Sequence, residues 1–220
     1  KMQLTTKQIQ EIDNRLKRNG IVYWDIRIEM LDHVVTYVEN RLEKGEKLEN
    51  AITNSFIDLG WNGSLKQLNR EGWQNVNEKY RREYHKGIIR FFKSLKNTLL
   101  FFVGLITLYF LSSVLTFNIF KKVCMILFIS PIFLVIYLYV KTLFKKYGKS
   151  VNLDYGFFYL TLNFMILPGI FSLFKSQPES SQKIVWIVVL SIHFLSIHSG
   201  YHLYKKSIEK VENLRKQLLQ

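Results

Sequence analysis

Residues 97–120 read NTLLFFVGLITLYFLSSVLTFNIF, a run of 24 residues without a charged side chain. Crossing a bilayer takes about 20 apolar residues, because an α-helix rises ~1.5 Å per residue through ~30 Å of hydrocarbon. In lipid the backbone must satisfy its own hydrogen bonds, so a run of this length is expected to form a helix. Three more apolar runs follow, and together they predict four transmembrane helices at about residues 98–120, 123–140, 155–174 and 184–204.

The polar part of the chain before these spans, residues 1–78, is predicted to be a helical head. The spacing of its apolar positions predicts four helices, which begin at about residues 6, 24, 47 and 65. Gly20 and Gly45 lie where a left-handed residue often ends a helix, whereas Gly72 and Gly87 predict a break or kink in the fourth helix. The predicted fold class is all-α, with an N-terminal cytoplasmic helical bundle and a four-helix transmembrane bundle.

The charge of the chain is concentrated beside the predicted spans. The formal net charge is +14, yet residues 1–78 hold 11 basic and 12 acidic side chains. Residues 79–97 hold seven basic side chains and one acidic side chain, and we interpret them as a basic juxtamembrane connector. Such a cluster next to a span is expected to contact anionic lipid headgroups rather than nucleic acid. The lipid-binding candidates are Arg81, Arg82, Lys86 and Arg90.

The distribution of lysine and arginine between the two ends of the spans predicts an orientation. Fifteen lie close to one end of the spans, in residues 81–96, in the second joint (residues 141–154) or in the tail (residues 205–220), against four in the first and third joints. Because basic residues favour the cytoplasmic side, the head, second joint and tail are predicted to be cytoplasmic. The tail is expected to form a short amphipathic helix. Residues 1–20 are polar and of mixed charge, so no signal peptide is expected.

The second helix of the head is apolar on two sides. A first stripe, within ~40° of one line at 100° per residue, consists of Trp24, Ile28, Leu31, Val35, Val38 and Leu42. A second stripe consists of Ile26, Met30, His33 and Tyr37. We interpret the first stripe as core, and the second is either buried in the middle of the bundle or exposed to a partner. Under the latter alternative, Met30, His33 and Tyr37 are the candidate partner-binding residues.

Motifs that carry catalysis are not found in the head. It lacks a glycine-rich phosphate loop, a nucleophile elbow and His/Cys spacing for a metal. Asp25, Glu29, Asp32 and His33 are close together along the second helix, but such clusters are common on solvated helix faces. We therefore predict neither enzymatic activity nor a cofactor.

Three histidines lie in the fourth predicted span: His193, His198 and His202. His198 and His202 are four residues apart and share a helix face, so they are the candidates for a metal or haem site, with an ion path as another alternative. We prefer structural hydrogen bonding and assign no metal site, because no acidic residue lies inside a predicted span to pair with them. Pro131 and Pro168 are predicted kink sites within the second and third spans.

Residues 26–61 read IRIEMLDHVVTYVENRLEKGEKLENAITNSFIDLGW. This stretch combines an acidic–histidine pair, a glycine turn, a small and an aromatic position, and a closing Leu-Gly: Asp32-His33, Gly45, Ala51, Phe56 and Leu59-Gly60. The pattern resembles the HAAS-type cytoplasmic domains of bacterial membrane proteins. The resemblance implies a small helical signalling or adaptor domain, joined to membrane spans, that works through protein contacts and has no catalytic residues.

With this resemblance, the sequence predicts a non-enzymatic integral regulator or adaptor of the bacterial inner membrane, whose cytoplasmic head binds a protein partner. One alternative is an accessory subunit of a larger membrane complex or homo-oligomer, held by its spans. Another is a small ion or metal transporter that uses the fourth-span histidines.

Overall fold

The computed structural model describes residues 3–61 and 63–218, and this part of the chain contains α-helices and turns without a β-strand. It divides into two compact units. The first comprises the described residues up to Glu78 together with Gly148–Asn152 and the chain from Leu214 onward. The second comprises Lys79–Tyr147 and Leu153–Asn213. The first unit is therefore built from three separate stretches of chain, whereas the sequence predicts a continuous head of residues 1–78.

Three complete helices and the start of a fourth belong to the first unit: α1 (Thr6–Arg18), α2 (Trp24–Glu43), α3 (Leu48–Asp58) and α4 (Lys66–Phe91). Thr5 caps α1 through a reciprocal capping box with Gln8. Gly20 and Gly45 follow α1 and α2 with positive φ angles of 112° and 86°, which confirms the predicted helix ends.

The buried side of α2 differs from the predicted one. Its buried residues are Asp25, Ile26, Met30, Val34 and Val38, which lie with Ile12 and Leu16 of α1 and with Ile52 and Phe56 of α3 among the buried residues of the first unit. Of the predicted core stripe, Val38 is fully buried and the others are half-buried. The predicted core face of α2 is therefore rotated by roughly a quarter turn from the face that is buried. The spacing of apolar residues could not select the correct face, because α2 is apolar around more than half of its circumference.

The helix α4 runs through Gly72 and Gly87 without the predicted break. Each glycine instead stands where a neighbouring side chain comes close to the backbone. A methyl group at position 72 would lie 3.2 Å from Cδ1 of Ile26, and one at position 87 would overlap Ser199. Residues 79–97 are thus the end of α4, a turn and the start of the next helix, rather than a separate connector.

Four helical segments are long and apolar enough to cross a membrane, which confirms the predicted number of spans. They are formed by α5 (Leu95–Val114), by α6 (Phe117–Ile129) with α7 (Pro131–Phe144), by α8 (Val151–Leu173) and by α9 (Glu179–Leu218). Many of their large apolar side chains are exposed, as is expected of a surface covered by lipid. The chain is therefore a candidate four-span membrane protein.

The boundaries of the first two spans differ from the predicted ones. The first span ends at Val114 rather than Phe120, and Lys121 and Lys122, predicted to lie in a joint, are inside α6. The extended backbone of Leu115 ends α5, and residues 115–120 are as apolar as the helix before them, so composition gives no sign of this turn. The predicted kink at Pro131 corresponds to a helix interruption at Ser130, whereas Pro168 remains inside α8.

The fourth span and the tail form one helix of 40 residues rather than two helices. At ~1.5 Å per residue, α9 is about 60 Å long, twice the hydrocarbon thickness, so a long cytoplasmic or external extension follows the span. Val211, in the predicted amphipathic tail, is fully buried within the second unit.

Small residues allow α8 and α9 to pack closely within the second unit. A methyl group at Gly200 of α9 would lie 2.7 Å from the Tyr159 carbonyl oxygen and 2.8 Å from Cα of Leu160, both in α8. A methyl group at Gly156 of α8 would likewise overlap the side chain of Ser207 in α9. Close backbone approach at small residues is the common means of helix association in lipid, where there is no hydrophobic driving force between helices.

Candidate functional site

A buried carboxylate that accepts four hydrogen bonds is found at Asp25, in the first turn of α2. It accepts hydrogen bonds from the Ser150 hydroxyl at 2.7 Å, the Asn152 side-chain amide at 2.7 Å, and the backbone N–H groups of Val151 and Asn152, both at 3.1 Å. Asp25 is only 2% exposed to solvent. We call Asp25 with Ser150, Val151 and Asn152 the Asp25 capping site.

The geometry of the Asp25 capping site follows from the start of α8. Val151 is the first residue of that helix, so its N–H and that of Asn152 have no acceptor within the helix. A carboxylate satisfies both groups and is favoured by the positive end of the helix dipole. Beside it, the Trp24 N–H donates to the Lys149 carbonyl at 3.1 Å, so the two chain segments are joined through backbone as well as side chain.

Sequence reasoning missed this site, because it grouped Asp25 with the solvated side chains of α2. Glu29, Asp32 and His33 are indeed exposed, whereas Asp25 is buried. Its partners lie 125 to 127 residues further along the chain. The sequence contains only a weak indication of the site. Ser150 and Asn152 flank the start of an apolar run, where a capping residue is expected, but the sequence does not show which residue supplies the cap.

The structure separates the three candidate partner-binding residues of α2. Met30 is 8% exposed and belongs to the core, so its assignment to a partner surface was wrong. His33 and Tyr37 are exposed, Tyr37 by 42%. The exposed positions around them are polar or acidic: Glu29, Asp32, Thr36 and Asn40. We call His33, Tyr37 and these four neighbours the α2 surface.

The four lipid-binding candidates are exposed on the second half of α4, where Lys86 and Arg90 contact the acidic side chain of Glu83. Arg90 donates to Glu83 at 2.9 Å, and Lys86 lies 3.5 Å from the same carboxylate. Lys206 of α9 donates to it at 3.1 Å. Hydrogen bonds from Arg90 and then Lys206 lower the pKa of Glu83 to about 2, although partial burial opposes this shift. Contact of Arg81, Arg82, Lys86 and Arg90 with anionic headgroups stays a prediction.

Glu83 is expected to make the stability of the protein depend on acid pH. An unfolded glutamate has a pKa of about 4.3, above the value in the folded chain, so the stabilisation is complete above about pH 5 and is lost as the pH falls towards 2. Melting temperatures measured from pH 7 to pH 2 should fall more steeply for wild type than for Glu83→Gln. The exposed Glu29→Gln is the control and should follow wild type; parallel wild-type and Glu83→Gln curves would contradict the assignment.

The three histidines of α9 have different surroundings. His193 is buried between the rings of Phe128 and Phe164, at centroid distances of 4.3 and 4.9 Å. His198 and His202 lie side by side, 4.5 Å apart, as their spacing predicts. No group of three or more His, Cys, Asp or Glu residues in the described ranges is placed to hold a metal ion. The ion-path and metal alternatives stay predictions.

No protein-family model, no curated protein and no solved structure matches this chain. The resemblance of residues 26–61 to HAAS-type domains therefore stays a prediction.

Proposed function

We propose that the chain is a non-enzymatic membrane regulator or adaptor, in which the α2 surface binds a cytoplasmic protein and the spans anchor the complex. The observation that carries this proposal is the Asp25 capping site. It fixes the beginning of α2 to the first turn of α8, and α8 continues as one of the four apolar helices. A protein bound to α2 would thus act on a helix that enters the membrane block.

The exposed polar residues of the α2 surface support its use by a partner. Tyr37 presents a large side chain with an apolar ring and a hydroxyl, and tyrosine is enriched at protein interfaces. The neighbouring Glu29 and Asp32 give the surface negative charge, which favours a partner with basic side chains. The HAAS resemblance covers this helix and implies the same mode of action.

Partner binding should depend on the α2 surface while the fold does not. The double change His33→Ala/Tyr37→Ser removes exposed side chains, so we expect an unchanged melting temperature. The amount of a partner protein that co-purifies with the full chain from native membranes should fall at least tenfold, because one central tyrosine of an interface commonly contributes ~2 kcal/mol or more. Ile57→Ser is the matched control, because Ile57 is exposed by 49% on another helix of the same unit. Equal recovery of that protein with wild type, the double variant and Ile57→Ser would contradict the proposal.

We also propose that the head, the second joint and the tail lie in the cytoplasm. The asymmetry of fifteen against four basic residues supports this orientation. A second observation is that the first unit draws residues from each of these three segments, up to Glu78, at Gly148–Asn152 and from Leu214 onward, and a compact unit must lie on one side of the membrane.

Cysteine labelling tests the orientation. In a Cys124→Ala background, single cysteines replace Lys149 and Ser180, which are both exposed, whereas Ser150 is buried and unsuitable. A membrane-impermeant thiol reagent should label position 180 in intact cells and position 149 after permeabilisation. Labelling of position 149 in intact cells, with position 180 protected, would reverse the topology.

An accessory subunit of a larger membrane complex is the second candidate, and α5 favours it. None of the residues of α5 is buried, although it is one of the four spans. Leu99, Phe102, Ile106 and Phe110 form one of its exposed apolar faces. A co-purifying membrane protein that survives the change of His33 and Tyr37 but is lost when Leu99 and Ile106 are replaced by alanine would favour the subunit over the adaptor.

A further inference from the structure

A cavity of about 610 Å³ lies within the second unit, among α5, α6, α7 and α9. Its volume falls in the range of about 300–1,000 Å³ that is usual for small-molecule sites. Leucine, phenylalanine, valine and isoleucine side chains form most of the wall, and no charged residue is found among the described residues that line it. A ligand for this cavity must therefore be apolar and uncharged, because an ion would be left without a counter-charge.

Polar groups in the wall are already paired, with the exception of one residue. The hydroxyl groups of Thr107, Ser130 and Ser191 donate to carbonyl oxygens of their own helices, at 2.8, 3.1 and 2.7 Å. His193 also lines the cavity and is 3% exposed, yet neither of its ring nitrogens has a hydrogen-bond partner among the described residues.

The unpaired imidazole defines the polar part of a ligand. A neutral imidazole has one N–H donor and one acceptor nitrogen, and leaving them unpaired in an apolar site is costly. A hydroxyl group both donates and accepts, so it can pair with either nitrogen once a small displacement of the ring or its neighbours opens that nitrogen, which is almost inaccessible in this structure, to the cavity. The His193 ring contacts the ring of Phe128 at a tilt of 31° and the ring of Phe164 edge-on, so these two side chains define its surroundings beside the cavity.

We propose that this cavity binds a neutral lipophile with a hydroxyl group, whose hydrocarbon body fills the apolar space and whose hydroxyl pairs with His193. The inference does not depend on the α2 surface. It differs from a metal or ion site because it uses one uncharged imidazole and an apolar wall.

Two small molecules of nearly the same shape test the role of the hydroxyl. The probes are 2,6-diisopropylphenol and 1,3-diisopropylbenzene, added to the purified full chain in lipid nanodiscs while thermal unfolding is followed. A ligand that binds the folded chain raises its melting temperature in proportion to its affinity. The phenol is expected to bind wild type about tenfold more tightly than the hydrocarbon, as one buried hydrogen bond would provide.

Two variants separate the histidine from the cavity. His193→Phe retains an aromatic ring between Phe128 and Phe164, and should abolish the tenfold preference for the phenol. Gly104→Leu fills the cavity from α5, where a methyl group would meet no described atom within 4 Å, and should abolish the effect of both probes while His193 remains.

Three results would overturn the proposal. Equal affinity of wild type for the two probes would show that His193 is paired by other means, such as a bound water. A preference for the phenol that persists in His193→Phe would place the hydrogen bond elsewhere. Unchanged effects in Gly104→Leu would show that the probes act by partitioning into the lipid rather than by entering the cavity, and this variant also decides the question if His193→Phe fails to fold.

Discussion

Asp25→Ala is expected to destabilise the protein by about 3–5 kcal/mol, more than the ~0.5–2 kcal/mol of an ordinary helix cap. The change removes one acceptor and leaves four donors of Ser150, Val151 and Asn152 without it, in a buried place where water cannot replace the carboxylate. Each buried group left unsatisfied has a cost of its own, and this explains why the loss exceeds that of one hydrogen bond.

Thermal unfolding of the full chain in detergent measures this loss, and Asp32→Ala is the matched control. Asp32 is an exposed aspartate on the same helix, so its replacement should leave the melting temperature within error of wild type. Asp25→Asn keeps the shape of the side chain but can accept fewer hydrogen bonds, so its melting temperature should lie between those of Asp25→Ala and Asp32→Ala. Asp25→Ala and Asp32→Ala with the same melting temperature would show that the capping site does not stabilise the fold.

The second large effect is expected at Gly200, where the backbone of α8 lies close to α9. Gly200→Ala would place Cβ 2.7 Å from the Tyr159 carbonyl oxygen and 2.8 Å from Cα of Leu160. Both atoms belong to the backbone of α8, so neither can rotate away as the end of a side chain could. The helices must separate, at a cost of about 1–3 kcal/mol for alanine and more for leucine. The loss should appear as a lower melting temperature of the detergent-solubilised chain.

Gly104→Ala and Gly169→Ala are the controls for Gly200→Ala, since a methyl group at either position meets no described atom within 4 Å. Both lie in apolar helices, so replacement of glycine by alanine there should be neutral or stabilising by up to ~1 kcal/mol. A similar loss at all three positions would mean that glycine is needed in these helices for a reason other than close packing.

The sequence predicts the number of membrane helices well because the requirement is local. Any run of about 20 apolar residues must satisfy its own backbone in lipid, and residues 97–120 already meet this condition. The ends of the spans are less predictable. Leu115 and Thr116 leave the helix within an uninterrupted apolar run, and their conformation depends on packing that the run itself does not describe.

Contacts between distant parts of the chain could not be predicted from one sequence. Asp25 and Asp32 are the same residue type on the same helix, yet one is buried under Ser150 and Asn152 and the other is exposed. Met30 illustrates the related difficulty that an apolar residue on a two-sided helix is core or surface according to where the neighbouring helices lie. The cavity around His193 was equally hidden, because its wall combines residues from four helices.

Contact between the α2 surface and a cytoplasmic protein can be measured by photo-crosslinking at Tyr37. A photoreactive phenylalanine analogue replaces Tyr37 in one full-length chain and Ile57 in another, and both are irradiated in native membranes. Because both positions are comparably exposed, random collisions should label them equally. If the α2 surface binds a partner, one discrete protein adduct is expected at position 37 and none at position 57. No adduct at position 37, or the same adducts at both positions, would contradict the proposed binding.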